Sequence, residues 1–355
     1  MMSGTSLDGL DLCYANFWQE EGKWEFEILS SRQIAYDDGW RDRLANIETA
    51  SAEDYAKLDV ALGRYFGEKL REYMEEEDLM VDFACSHGHT IFHQPDQFRL
   101  TTQIGNPAHI NAVAGVPVYA DFRTADVALG GQGAPLVPIG DRHIFHDYDF
   151  CLNLGGIANI SLESKGERIA FDITYANMPS NFLMQSIGLN YDEGGQKAAA
   201  GTVNQSVLQQ LNALPYYDHF GVKSLGKEWV FENVMPLLKA IPLLEDQLAT
   251  AIEHAAYQIG RCLHHYAVNQ SSKCLVTGGG AFNTFFLERI QAQQHAVILS
   301  VPEKEIVDQK EALIFAFLGV LKQREEVNCL SSVTGAKIDH SAGQWFDCYG
   351  GNSIH

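Results

Sequence analysis

The sequence predicts an α/β protein of two domains with mixed or parallel sheets, and three observations carry that expectation. Short apolar runs alternate with amphipathic periods, glycine-rich turns sit at several of the junctions, and 355 residues exceed what one ordinary hydrophobic core serves. Hydrophobic residues make up 46% of the chain and charged residues 20%, the balance of a folding polypeptide. Disorder is expected only in the tail near Gly350.

The elements follow in order. Ser3, Gly4, Thr5, Ser6, Asp8, Gly9 and Asp11 form a polar opening, after which 10–17 read as an outgoing strand. Over 51–77, Leu58, Leu62, Tyr65, Phe66, Leu70 and Tyr73 recur at three- and four-residue spacing, which predicts an amphipathic helix. Ser51, with Asp54 three residues on, is a variant capping box at its start. A short strand is expected over 82–86. Gly105-Asn106-Pro107 leads into a helix, and the β-branched 116–120 into a buried strand. GGQGAPLVPIG (130–140) is the densest Gly and Pro cluster, and the domain boundary is placed there: 1–132, then 133–340, then a tail 341–355.

FCLNLGGIANISLES reads as strand, Gly155-Gly156 turn and strand, a hairpin whose grammar repeats that of the opening stretch and so suggests a duplicated architecture. Leu248, Ile252, Ala255, Ile259, Leu263 and Tyr266 mark a long helix over 245–269. KCLVTGGGAFNTFFLERI is strand, three glycines and helix; 296–301 is a strand and 310–322 a helix with Glu311 in its first turn. In such folds ligands sit at the carboxyl ends of strands.

A formal net charge of −21 repels phosphate backbones and anionic lipid, so neither nucleic acid nor a membrane is expected as partner. Seven scattered cysteines with no CxxC pair read as buried free thiols of a reducing cytoplasm. No uninterrupted apolar stretch reaches membrane-spanning length, and the expected location is cytoplasmic.

Three turns share a composition: 3–9, Asn153 to Asn159 around Gly155 and Gly156, and Thr277 to Asn283 around Gly278, Gly279 and Gly280. Glycine lets successive backbone N–H groups converge on phosphate oxygens, and a helix N-terminus adds its dipole. Any one of them alone also reads as a plain tight turn. There is no GxxxxGK[ST], because Lys227 is followed by Glu228, and no GxGxxG after a strand.

The runs MSGTSLDGLD, SHGHT, IGNP, ADFRTADVALGGQGAPLVP, NLGGIANIS, TGGGAFN, KEALIFAFL and VTGA, in this order and over nearly the whole chain, resemble the anhydro-N-acetylmuramic acid kinase family. The resemblance implies the two-domain actin-like ATPase fold, ribonuclease H-like in each half, with mixed sheets and an interdomain cleft. It implies ATP and Mg2+, a small amino-sugar substrate, and a homodimer as a common state. The implied reaction opens the intramolecular ether of the anhydro sugar with water while phosphorylating the released oxygen. Members carry a strand ahead of MSGTS, so a few residues are expected before Met1.

By the same resemblance Asp172 is the general base, with a turn-capping strand-end Asp as its rival reading. Gly4, Thr5, Ser6, Leu7, Asp8, Gly9, Leu10 and Asp11, then Asn153, Gly155 and Gly156, hold phosphate; Gly278, Gly279, Gly280 and Asn283 hold the nucleoside. Glu311 and Asp8 are candidates for Mg2+ through water, although Glu311 also reads as helix-dipole compensation. Arg123, with His87 and Asn177, is set on the sugar side; an ion pair of Arg123 with Asp121 or Asp126 is the alternative. His87, His89 and His93 also admit a metal-hydrolase reading, and the superfamily cleft admits a nucleotide-gated binding protein.

Two departures weaken the substrate assignment. FDITYANMPSN replaces FDxGPGNxLxD, so Thr174-Tyr175-Ala176 stand for Gly-Pro-Gly and Asn181 for the closing Asp; Gly194 stands for a second Asp. A kinase for another amino sugar is the neighbouring alternative.

Overall fold

A computed structural model describes residues 1–4, 6–269 and 271–350 of the chain. It divides into two compact units, Met1–Ile144 with the segment from Gln309 on, and Phe145–Asp308. The boundary expected at 132 thus lies at 144, and the chain returns to the first unit for its last stretch.

In the first unit β1 (Met2–Ser3), β2 (Gly9–Glu20) and β3 (Lys23–Ala35) form an antiparallel meander. Beyond β1 lie β4 (Ala84–Cys85) and β5 (His89–Gln94): Met1 N donates to Cys85 O at 2.8 Å, and β5 runs parallel to β1. β6 (Leu100–Ile104) pairs with β5, and β7 (Val118–Ala120) runs parallel to β4. The opening residues are therefore already a strand, where the sequence reading had a polar turn alone.

The predicted long helix is present as Ala52–Glu76, and Ser51 Oγ accepts from Asp54 N at 3.1 Å, capping one of the helix's unpaired N–H groups. It buries Leu58, Leu62, Phe66, Leu70 and Tyr73 in one core with Leu10, Leu12, Ile104 and Ile110. Burying each such side chain is worth roughly 1.5–3 kcal/mol. A Cβ on Gly63 would lie 2.5 Å from Asn106 O, so the close approach of this helix to the 106–107 turn requires glycine.

The second unit repeats the plan. β8 (Phe150–Leu154), β9 (Ile157–Ser164) and β10 (Glu167–Tyr175) form the meander, with the expected Gly155-Gly156 turn between the first two. β11 (Ser272–Thr277) runs parallel to β8, and β12 (Val297–Ser300) parallel to β11. The order β10-β9-β8-β11-β12 is ribonuclease H-like; in the first unit the meander continues as β3-β2-β1-β5-β6, while β4 and β7 pair in a separate small sheet. The helix Leu244–Tyr266 places Leu248, Ile252, Ala255, Ile259 and Leu263 in this unit's core, as predicted.

Two helices differ from expectation. The glycines of 278–280 do not open one: Gly279–Phe282 is a 3-10 turn and the helix Thr284–Gln293 starts beyond it. The helix Lys304–Gln323 starts six residues earlier than predicted, so Glu311 lies in its third turn and dipole compensation no longer accounts for it. No helix among the described residues is long and apolar enough to cross a membrane. No disulfide joins the seven cysteines; five are buried, Cys13 is partly buried and Cys348 exposed.

Candidate functional site

In the second unit two of the glycine turns meet. A Cβ on Gly278, whose φ is +79°, would lie 2.4 Å from Asn153 Oδ1, and one on Gly280 would lie 2.7 Å from Leu154 Cβ. Asn177 closes the group: its Nδ2 donates to Leu154 O at 2.9 Å and its N to Gly155 O at 3.0 Å. A Cβ on Gly155, Gly156 or Gly279 would meet only ordinary contacts at 3.4 Å or more, and Gly156 and Gly279 are exposed. Asn283 is spent locally, since its Oδ1 accepts from Phe286 N at 3.0 Å and caps the following helix.

Asp172 stands on β10 at a bulge, in register with Asn159 of β9; Asn159 is in register with Asn153 of β8, and Asn153 with Thr277 of β11. Registered partners share a face of a sheet, so these four side chains form one row that ends beside the glycine turns. Asp172 Oδ2 accepts from Leu225 N at 2.8 Å, and its backbone O from Tyr216 Oη at 2.7 Å. Oδ1 takes no hydrogen bond among the described residues. Burial pushes the Asp172 carboxyl above its ordinary range, with the Leu225 amide pulling the other way. Thr277 Oγ1 is buried with no hydrogen-bond partner among the described residues.

The sequence reading placed Asn159 and Thr277 at the ends of two glycine turns without giving them a role, and Tyr216 escaped it. Asn153 and Asn159 are placed symmetrically about Gly155-Gly156, a signal that could have paired them; Tyr216 lies far along the chain and carries none. The departed loop is also explained. Thr174 Oγ1 and Tyr217 Oη are 2.9 Å apart, and Tyr175 Oη is 2.8 Å from His254 Nδ1, so a strand end anchored in the core stands where the family pattern has flexible glycines.

In the first unit Ser3 Oγ lies 2.6 Å from Tyr36 Oη and 2.9 Å from His89 Nδ1. Leu7 N donates to Gly4 O at 3.3 Å and Leu7 has a φ of +61°; Ser6 and Asp8 are exposed, and Thr5 lies outside the described residues. Gly9 is required by strand packing, because a Cβ there would lie 2.1 Å from Ile34 O. Leu10 is wholly buried in the core, so its side chain is not a ligand contact, and Asp11 Oδ1 accepts from Gln33 Nε2 at 3.0 Å.

Arg123 donates from Nε and Nη2 to His87 Nε2 at 2.9 and 2.8 Å and from Nη1 to Gly133 O at 2.6 Å. His87 Nδ1 lies 2.9 Å from Gly88 O, so Nδ1 carries the proton and the ring is neutral; burial, then the Arg123 charge, holds its pKa well below the usual value. Asp126 and Asp121 do not take the guanidinium: Asp126 accepts from Gly133 N, and Asp121 from Thr124 N and Gln344 Nε2. The Glu311 carboxyl is pushed above its ordinary range, by loss of solvation first, with Arg123 and Lys310 opposing and Asp11 adding to it. Lys310 is paired with buried Asp141 at 2.7 Å. His87, His89 and His93 do not form a metal-ligating group.

A unit of ribonuclease H-like strand order, with a strand-borne carboxylate in line with two glycine turns, has the parts of an α/β phosphotransferase. The chain belongs to the anhydro-N-acetylmuramic acid kinase family, whose family model matches residues 1–347. It is 32% identical to the anhydro-N-acetylmuramic acid kinase of Vibrio vulnificus (strain YJ016) over 362 residues, covering 97% of this chain and 96% of that one. Against the enzyme of the same name from Haemophilus influenzae the identity is 29% over 373 residues, covering 98% and 96%. Against that from Coxiella burnetii (strain Dugway 5J108-111) it is 32% over 358 residues, covering 95% and 94%.

Proposed function

We propose that the protein converts 1,6-anhydro-N-acetylmuramic acid, water and ATP into N-acetylmuramic acid 6-phosphate and ADP, a step of peptidoglycan recycling. Water attacks the anomeric carbon, the bond from that carbon to the ether oxygen breaks, and the released oxygen takes the terminal phosphoryl group. Asp172 accepts the proton of the attacking water through Oδ1. Its raised pKa makes it a stronger base than an ordinary carboxylate, and Leu225 N and the bulge hold it in place. The observation that carries this reading is the row Asp172, Asn159, Asn153, Thr277 ending at the glycine turns.

The open backbone at Gly155, Gly156 and Gly279 would receive phosphate oxygens and nucleoside. Glu311 with Asp11 would hold a hydrated divalent ion, since the Asp11 charge adds to the cost of ionising Glu311 and a cation removes that cost; Asp8 would add outer-shell charge. Mg2+ held there supplies neutralisation of phosphate charge. Arg123 keeps two N–H groups beyond its three bonds, and these would take the substrate carboxylate, with His87 fixing the plane of the guanidinium.

The test is ADP release by the purified protein with and without the anhydro sugar. We expect turnover only with sugar, and a 10²–10⁴-fold lower kcat in Asp172→Asn. Sugar-independent turnover, or full activity in that variant, would overturn the reading. Because Thr174 and Tyr175 are anchored in the core, a second amino sugar belongs in the same assay, and preference for it would move the assignment to that substrate.

A further inference from the structure

The first unit also brings together Asp126, Cys329 and His340, one ligand atom from each lying within 4.8 Å of the others, the one such group among the described residues. Asp126, on the short helix Thr124–Ala128, is fully buried. Cys329 and His340 face each other across an isolated antiparallel bridge, with Cys329 N donating to His340 O at 3.0 Å and His340 N to Cys329 O at 3.1 Å. Registered partners project to one side, so thiol and imidazole point the same way.

The hydrogen bonding calls for a positive centre. His340 Nδ1 lies 3.2 Å from Ile338 O, which can only accept, so Nδ1 carries the ring proton and Nε2 presents a lone pair. Nε2 is buried and without a hydrogen-bond partner among the described residues, and the side chain is nine-tenths buried. It faces Asp126 Oδ1 at 3.6 Å, an oxygen that already accepts from Thr334 Oγ1 at 2.7 Å, while Oδ2 accepts from Gly133 N at 2.7 Å. That 3.6 Å is long for an N–H to oxygen bond. It is close to the edge of a tetrahedron whose metal–nitrogen and metal–oxygen bonds are about 2.0–2.2 Å.

We propose that Asp126 Oδ1, Cys329 Sγ and His340 Nε2 form a binding site for Zn2+ or a divalent ion of like softness, with water as fourth ligand. A mixed carboxylate, thiolate and imidazole set selects such an ion over Mg2+ or Ca2+. On binding, the Cys329 thiol releases its proton to solvent as the sulfur–metal bond forms, so a carboxylate and a thiolate together offset the divalent charge. Burial, then the Asp126 charge, pushes the Cys329 thiol up to about 12, with Arg123 and Lys322 opposing; Lys322 Nζ is itself turned to Ser341 O at 3.1 Å. The ion ties the 329–340 segment to the helix that starts one residue after Arg123, and so braces the guanidinium. Its role is structural.

The test uses the full-length protein and Co2+ as probe. We expect one Co2+ per chain with a near-ultraviolet sulfur-to-cobalt band, a rise in melting temperature with Zn2+, and loss of both in Cys329→Ser and His340→Ala. Cys348→Ser, which removes the exposed thiol, should keep them. Should a variant fail to fold, alkylation of the wild-type protein read by mass spectrometry decides: Zn2+ must slow labelling of Cys329 at least tenfold. No sulfur-to-cobalt band, a band that survives in Cys329→Ser, or Zn2+-independent labelling of Cys329 overturns the proposal.

Discussion

Arg123 is committed before any substrate arrives: three hydrogen bonds fix it, and two of them end on one nitrogen of His87. A lysine carries the charge without the planar fork, so it cannot hold His87 and Gly133 together. Arg123→Lys should raise the KM for the sugar at least tenfold with a smaller effect on the KM for ATP, while the His87 ring, still buried beside a cation, should keep titrating well below its ordinary value. Steady-state kinetics with both substrates varied, and NMR of the His87 ring, check the two halves. The sequence marked Arg123 and His87 separately; that one spends its donors on the other depends on the fold of residues 36 positions apart and is invisible in a motif.

The glycine turns are the elements on which the proposed nucleotide binding rests, and they are not equivalent. Gly278 needs its positive φ and has Asn153 Oδ1 and the Leu154 backbone where a Cβ would go, whereas a Cβ on Gly155 would meet nothing closer than Asn153 Nδ2 at 3.4 Å. Gly278→Ala should cost about 1–3 kcal/mol of stability and raise the KM for ATP, while Gly155→Ala should leave the melting temperature nearly unchanged; thermal melts and ATP titrations of both variants measure this. Elements with a strong period were legible: the helix Ala52–Glu76 with its Ser51 cap, and the β8-β9 hairpin, came directly from spacing. The early start of the helix Lys304–Gln323 was not, because from Lys304 to Glu311 its one buried apolar side chain is Val307. The row ending at Asp172 was illegible for another reason: strand register follows from pairing across the sheet, and pairing partners leave no local trace.

Among the described residues of the whole molecule three histidines are buried in the neutral form. His87 titrates well below its ordinary value, His89 at about 4 and His254 at about 3, burial being the first cause in each. An unfolded histidine titrates near 6.5, so below that pH the unfolded chain binds more protons than the folded one and stability must fall as pH falls. The loss extends to about 4 for His89 and about 3 for His254, and amounts to on the order of 1 kcal/mol per pH unit for each group. The raised carboxyls of Asp172 and Glu311 act with the opposite sign, because the folded form takes up their protons first. Melting temperatures between pH 7.5 and 4.5 should therefore decline from about 6.5 downward, and His254→Gln should flatten the slope; a flat profile in the parent protein would contradict the neutral burial. The division of the chain has a further consequence for its synthesis. The first unit is assembled from two stretches on either side of a complete second unit, so the portion that leaves the ribosome earliest must wait for the residues after Gln309, while the later-made stretch 145–308 can close on its own. What is translated first is finished last, and in the interval the β1-to-β7 surfaces that the terminal helix will cover stand open to chaperones.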